Sequence, residues 1–173
     1  ATPGPRTTAL RRWPSETALQ RSHEKPTLVM FAHPRCPCTR ASMSELERIV
    51  ARCRDKLEVL VVFLKPLETA AGWEEAELWR MAERIPNVRI FRDKGGVETE
   101  RFQAVISGMT LLYDSDGSLA FRGGITSARG HEGDNDGRRA VVSLVETGIA
   151  RDSAHPVFGC RLQDLNAAAP FAK

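Results

Sequence analysis

Two cysteines one residue apart, Cys36 and Cys38, stand in the run His33-Pro-Arg-Cys-Pro-Cys-Thr-Arg40. Thiols attack disulfides, oxidise to one another or hold a soft metal, and all three roles use the thiolate. The flanking residues favour that form. Arg35 and Arg40 bring positive charge, and a helical pattern opens at about Cys38, with Pro37 suited to a first helical position. Unpaired N–H groups and the positive end of the dipole stabilise an anion there. Cys36 is therefore expected to be a nucleophile with a depressed pKa. Cys38, inside the first turn, is expected to be less free to face outward. A Cys36–Cys38 bond would close a small strained ring, which raises its reduction potential. The bland alternative, two inert small hydrophobes, fits poorly with a turn-borne Cys-Pro-Cys.

Two further cysteines complete the set of four, too few for a disulfide scaffold in 173 residues. Cys53 lies on a helical pattern and reads as a buried spectator. Cys160 lies in an irregular tail. A resolving cysteine, a metal ligand and a packed tail residue are all open for it, the last being the simplest. His131 and Glu132 sit in a long polar loop that topology returns toward Cys36. His131 is a candidate general acid–base or metal ligand, with Glu132 orienting it. The competing reading is that Arg129, His131, Asp134 and Asn135 hold the loop together by hydrogen bonds. Trp73 and Trp79 read as core, and His23 and His155 as surface.

The elements that must position these groups are legible as periodicities. Thr27–Ala32 and Leu57–Leu64 are mostly apolar runs with little alternation, as strands covered on both faces are. Between them Met43, Leu46, Ile49, Val50 and Cys53 line one face of a helix from about Cys38 to Arg54. A second helix is expected over Trp73–Ile85, a short strand over Val88–Phe91 and a short helix over Glu98–Val105. Met109–Tyr113 and Ser118–Arg122 flank the turn Asp114-Ser-Asp-Gly117 as a hairpin. The polar loop Gly123–Gly137 leads to a last helix, Arg138–Thr147, closed by Gly148. This divides the chain into an N-terminal arm (1–26), one α/β domain (27–150) and an irregular tail (151–173). The first two strands need a right-handed crossover and lie parallel, so the functional groups gather beyond their C-terminal ends.

Composition excludes some classes. The net charge is +3 with both signs mixed, which gives no footprint for nucleic acid. No run reaches the roughly 18 apolar residues of a membrane span. The start at Ala1 with a Pro-rich opening reads as a trimmed chain, from which a signal or anchor has been removed.

The segment Thr27–Ser42 resembles the strand, turn and helix that carry the active-site cysteine of thioredoxin-like proteins, and Ser107–Gly124 resembles their late hairpin. The block Gly124–Arg138, with Pro156-Val-Phe-Gly-Cys160, is most similar to the bacterial thioredoxin-like proteins called RedB. The resemblance covers roughly residues 12 to 162. It implies an α/β thioredoxin-like fold, with a mixed sheet of about four to five strands flanked by helices. Two departures stand out. Thr39 occupies the place of the second cysteine of Cys-x-x-Cys, and Met109 the place of the cis-proline. A cis bond is rare and costly before a residue other than proline, so a trans peptide is expected there. The residues expected to meet a client are Arg35, Thr39, Met109 and Thr110.

Three functions follow as expectations. One is a thiol–disulfide redox protein acting on a protein client, with Cys36 attacking and Cys38 or Cys160 resolving. Its possible bonds are Cys36–Cys38, or Cys160 with one of them, and it needs no cofactor. The second is a copper-binding thioredoxin-like protein with Cys36, Cys38 and His131 as ligands. The third is a redox-inactive accessory subunit of a membrane-associated complex. The resemblance and the trimmed start imply a periplasmic or otherwise extracytoplasmic bacterial location.

Overall fold

All six residues of strand β1, Thr27–Ala32, are buried. Their side chains alternate between two cores. Leu28, Met30 and Ala32 join one apolar cluster, and Val29 and Phe31 join another on the opposite face. That alternation, with both faces covered, is why the run is apolar from Leu28 to Ala32. The computed structural model describes residues 11–128, 130–149 and 154–162. The outer parts of the arm and tail, and Arg129, lie outside the described residues.

Helix α1 (Thr39–Cys53) follows β1, then β2 (Glu58–Lys65), α2 (Glu77–Arg84), β3 (Val88–Lys94), α3 (Val97–Arg101), β4 (Met109–Tyr113), β5 (Leu119–Gly123) and α4 (Asp136–Thr147). The five strands form one sheet in the order β3-β2-β1-β4-β5. β1 runs parallel to β2 and antiparallel to β4. One face carries α1, α2 and α4. The other carries Phe102, Ala104, and Leu19 and Leu162 from the two ends of the chain.

Several boundaries differ from the periodic reading, each for a local reason. α2 starts at Glu77 rather than Trp73, because Glu74 is buried and held by Arg92 and Lys65 in a turn before the helix. β3 runs on to Lys94, and the buried Asp93 accepts the backbone N–H groups of Glu98 and Thr99 to start α3. α4 begins at Asp136 because the Asn135 side chain accepts the Arg138 N–H at 2.7 Å, an N-cap. It ends where expected, at Gly148 in the left-handed region with φ 73°.

The two ends of the chain pack onto the sheet. Trp13 donates its backbone N–H to Gly117 O at 2.7 Å and sets its ring edge-on to Phe102 and Tyr113. The tail runs beside β5 and then along residues 105–107, with His155 N–H on Arg122 O, Ser107 N–H on Cys160 O and Leu162 N–H on Val105 O. No helix among the described residues is long and apolar enough to cross a membrane.

The polar loop before α4 is tied to α1 through Glu45, whose side chain is fully buried. Its carboxylate accepts from Gly133 N–H, Arg48 and Arg138, each at 2.7 Å. Glu45→Ala removes the acceptor for all three. It is expected to cost about 2 kcal/mol, read as a lower urea midpoint at unchanged slope.

Candidate redox site

β1 ends at Ala32, and after six intervening residues the chain enters α1. The intervening turn is closed by Cys36 N–H on His33 O at 3.1 Å and Thr39 N–H on Cys36 O at 3.1 Å. Cys36 thus sits one turn before α1, at the C-terminal edge of the parallel strands. It is 1% exposed. Cys38 is half-buried, so the expected order of accessibility is reversed. The cause is the tail, which brings Cys160 against Cys36. The two Sγ atoms are 2.7 Å apart, and the Cys160 N–H points at Cys36 Sγ at 3.4 Å. With Cys38 included, the three sulfurs lie within 4.8 Å of one another.

Burial raises the pKa of Cys36, but hydrogen bonds from the Cys160 side chain, from Thr39 and from the Cys160 backbone outweigh it. The net result lies below the ordinary thiol value of 9.0. The expected direction is therefore obtained, but for a different reason: the lowering comes from Cys160, 124 positions away, and from Thr39, not from Arg35 and Arg40. Cys53 is different: burial among core residues pushes its thiol up, as an inert spectator requires.

The rim of the site was only partly legible. A cleft of about 210 Å³ opens beside Cys36, lined by Pro34, Arg35, Pro37, Arg40, Glu77 and Leu78. Trp73, expected in the core, instead stands at this end of the molecule. The Arg35 guanidinium lies 4.8 Å over its ring, and the His33 ring meets it edge-on at 5.6 Å. Burial, and then the Arg35 charge, lower the His33 pKa from 6.5. Its Nδ1 accepts the Arg35 N–H at 3.1 Å.

Ser107 was missed altogether. Its buried hydroxyl accepts the His33 N–H at 2.8 Å and lies 2.7 Å from Thr39 Oγ1, while its backbone N–H holds Cys160 O. One residue therefore joins the active turn, the helix start and the tail. No local pattern marks a lone serine before a strand. Ser107→Ala leaves the half-buried His33 N–H without its acceptor and should cost about 1–3 kcal/mol in a denaturation curve.

The remaining candidates are dispersed. Thr39 is buried on Ser107 and so does not face a client. Thr110 is fully buried, with its hydroxyl on Gly108 O at 3.1 Å, and its side chain does not face outward either. Met109 is buried at the head of β4. Its peptide bond is trans, like every other among the described residues. His131 and Glu132 are exposed. Glu132 lies 4.0 Å from Arg48, and Gly133 bonds Glu45, so the loop packs on the middle of α1. The set Cys36, Cys38 and His131 does not assemble; among the described residues the sulfurs gather with Cys160 instead. The topological argument failed because the buried Glu45 carboxylate captures the loop.

No family model and no curated protein matches the chain. Solved structures do. An uncharacterised conserved protein from Geobacillus kaustophilus shares 18% identity and a TM-score of 0.62 over 79% of this chain and 76% of its own. A hypothetical protein from Sinorhizobium meliloti shares 20% identity and a TM-score of 0.61 over 79% of this chain and 78% of its own. A thioredoxin-like protein solved in its oxidised form shares 20% identity and a TM-score of 0.55, over 80% of this chain and 94% of its own. These likenesses establish the fold of this chain as thioredoxin-like.

Proposed function

We propose that this thioredoxin-fold chain is a thiol–disulfide redox protein whose working pair is Cys36 and Cys160, with Cys38 as a third thiol beside them. The observation that carries this reading is the 2.7 Å approach of the two sulfurs at the end of β1. It refines the Cys-Pro-Cys expectation: Cys36 remains the nucleophile, and the resolving sulfur comes from the tail.

The Cys36 thiolate attacks one sulfur of a client disulfide. A Cys36–client bond forms, and the other client sulfur leaves as a thiolate that takes up a proton. The Cys160 thiolate then attacks Cys36 Sγ, forming Cys36–Cys160 and releasing the second client thiol. The client gains two electrons and two protons, and the protein loses them. The reverse sequence oxidises a client dithiol. The cleft beside Cys36 is the entry for the client chain, with Arg35 stacked on Trp73 at its rim. A pair of this kind suits an oxidising, extracytoplasmic compartment, which agrees with the RedB-like segments.

Differential alkylation followed by peptide mapping tests the pairing. Oxidised protein should yield a Cys36–Cys160 cross-linked peptide, and Cys38→Ala should retain it. A product linking only Cys36 to Cys38 would overturn the pairing. Thiols that stay reduced under mild oxidant would overturn the redox function and leave the accessory-subunit reading.

A further inference from the structure

The sulfur cluster has a second chemical capacity that needs no disulfide. We infer that the reduced protein binds one soft monovalent metal ion of the Cu(I) class through Cys36, Cys38 and Cys160. This rests on the same reduced cluster as the redox reading, but not on any oxidation step.

The three Sγ atoms lie within 4.8 Å of one another. A thiolate–metal bond is about 2.3 Å long, so three sulfurs placed trigonally around one ion stand about 4 Å apart. The cluster is close to that span, and an entering ion needs chiefly to part Cys36 from Cys160. Cys38 is half-buried and makes no side-chain cap bond to α1, and Cys160 is half-buried on the tail.

The donor set selects the ion. Among the described residues no His, Asp or Glu joins the three sulfurs. A purely thiolate, three-donor set favours a soft ion over hard cations, and three-coordination suits Cu(I) better than zinc, which takes a fourth ligand. Three thiolates around a monovalent ion leave net negative charge. The start of α1 and the Arg35 side chain in the adjoining cleft oppose that charge. Binding displaces thiol protons to solvent, so uptake strengthens as pH rises. Cys160, rather than the His131 imidazole, completes this set.

Metal binding and oxidation exclude one another at this cluster. A Cys36–Cys160 bond removes two of the three donors, and a bound ion occupies both members of the redox pair. Metal occupancy therefore holds the pair reduced, and oxidation releases the metal.

The test is an anaerobic titration of the fully reduced chain with Cu(I) against a chromophoric Cu(I) chelator, with stoichiometry from native mass spectrometry. One ion per chain is expected. Cys160→Ser and Cys38→Ser should each weaken it at least about tenfold, with circular dichroism reporting whether the variants fold. His131→Ala should bind like the wild type, and the Cys36–Cys160 disulfide form should bind none. No uptake, unchanged affinity in either cysteine variant, or loss of binding in His131→Ala would each overturn the assignment. Zinc competing on equal terms would overturn the choice of ion. Peptide mapping of the metal-free protein judges the redox reading separately, so the two can fail independently.

Discussion

Cys160→Ala leaves the oxidised protein without its cross-link and the reduced protein with a less acidic Cys36. The first effect is one of chain entropy. A bond between residues 124 apart closes most of the molecule into one loop, and such a closure stabilises by about 2–4 kcal/mol. Oxidised wild type should therefore unfold at higher urea than reduced wild type by that amount. In Cys160→Ala the difference should vanish, whereas in Cys38→Ala it should persist. An undiminished difference in Cys160→Ala would mean that another pair carries the bond.

The second effect is electrostatic. Burial raises the Cys36 pKa, but the Cys160 side chain is the largest of the groups that bring it below 9.0. Alanine removes that contact and leaves the backbone N–H of residue 160 and the Thr39 bonds, so the pH midpoint of Cys36 alkylation should move upward. Serine keeps a hydroxyl donor and should move it less. The sign for stability follows from linkage. A thiol whose folded pKa is depressed contributes stability above its unfolded value, and that contribution is lost as pH falls through the folded value. Reduced wild type should thus gain on Cys160→Ala as pH rises toward and past 9.0. It should give up that advantage below the lowered Cys36 value.

Gly159→Val is expected to separate the tail from the active turn without touching a sulfur. A Cβ at Gly159 would lie 2.2 Å from Ser107 O, a backbone atom that cannot move aside cheaply. The neighbouring contacts are those that place Cys160: Ser107 N–H on Cys160 O and Leu162 N–H on Val105 O, both at 2.7 Å. Overpacking of this kind costs about 1–3 kcal/mol, and lifting the tail is the relief available to the chain. Leu162, 1% exposed in the core on that face, would be drawn out with it. The expected outcome is a large loss of Cys36–Cys160 cross-linking, with Cys160 becoming rapidly alkylated by added reagent. The far-UV spectrum should stay that of a folded α/β domain. Cross-linking at the wild-type rate would show that the tail reaches Cys36 by another route.

The contrast between Cys36 and Cys160 shows where sequence reasoning works. Cys36 was placed between β1 and α1 because its whole setting is local. The apolar run Thr27–Ala32, the turn, Pro37 and the face from Met43 to Cys53 lie within thirty residues, and their periods are set by backbone geometry. The hairpin turn was legible for the same reason: Gly117 N–H bonds Asp114 O and Asp114 N–H bonds Ser118 O, as the Asp-Ser-Asp-Gly string demands. Trp73 was misplaced because a tryptophan beside helical spacing carries no mark of a turn. The turn exists only because Arg92 and Lys65, from β3 and β2, hold Glu74.

The amino-acid order alone determined the five strands, the presence of four helices with α1 and α4 near their observed limits, and the placement of Cys36 just before α1. Those properties depend on neighbours along the chain, where spacing and residue type act directly. Tertiary packing alone decided which sulfur faces Cys36, which one is sheltered and where His131 goes. A tail with no period carries no address; it is seated by backbone bonds to residues 105–107 and 122 and by one buried leucine. Contacts between residues more than a hundred positions apart follow from the shape of the folded surface, which only the assembled sheet and helices provide.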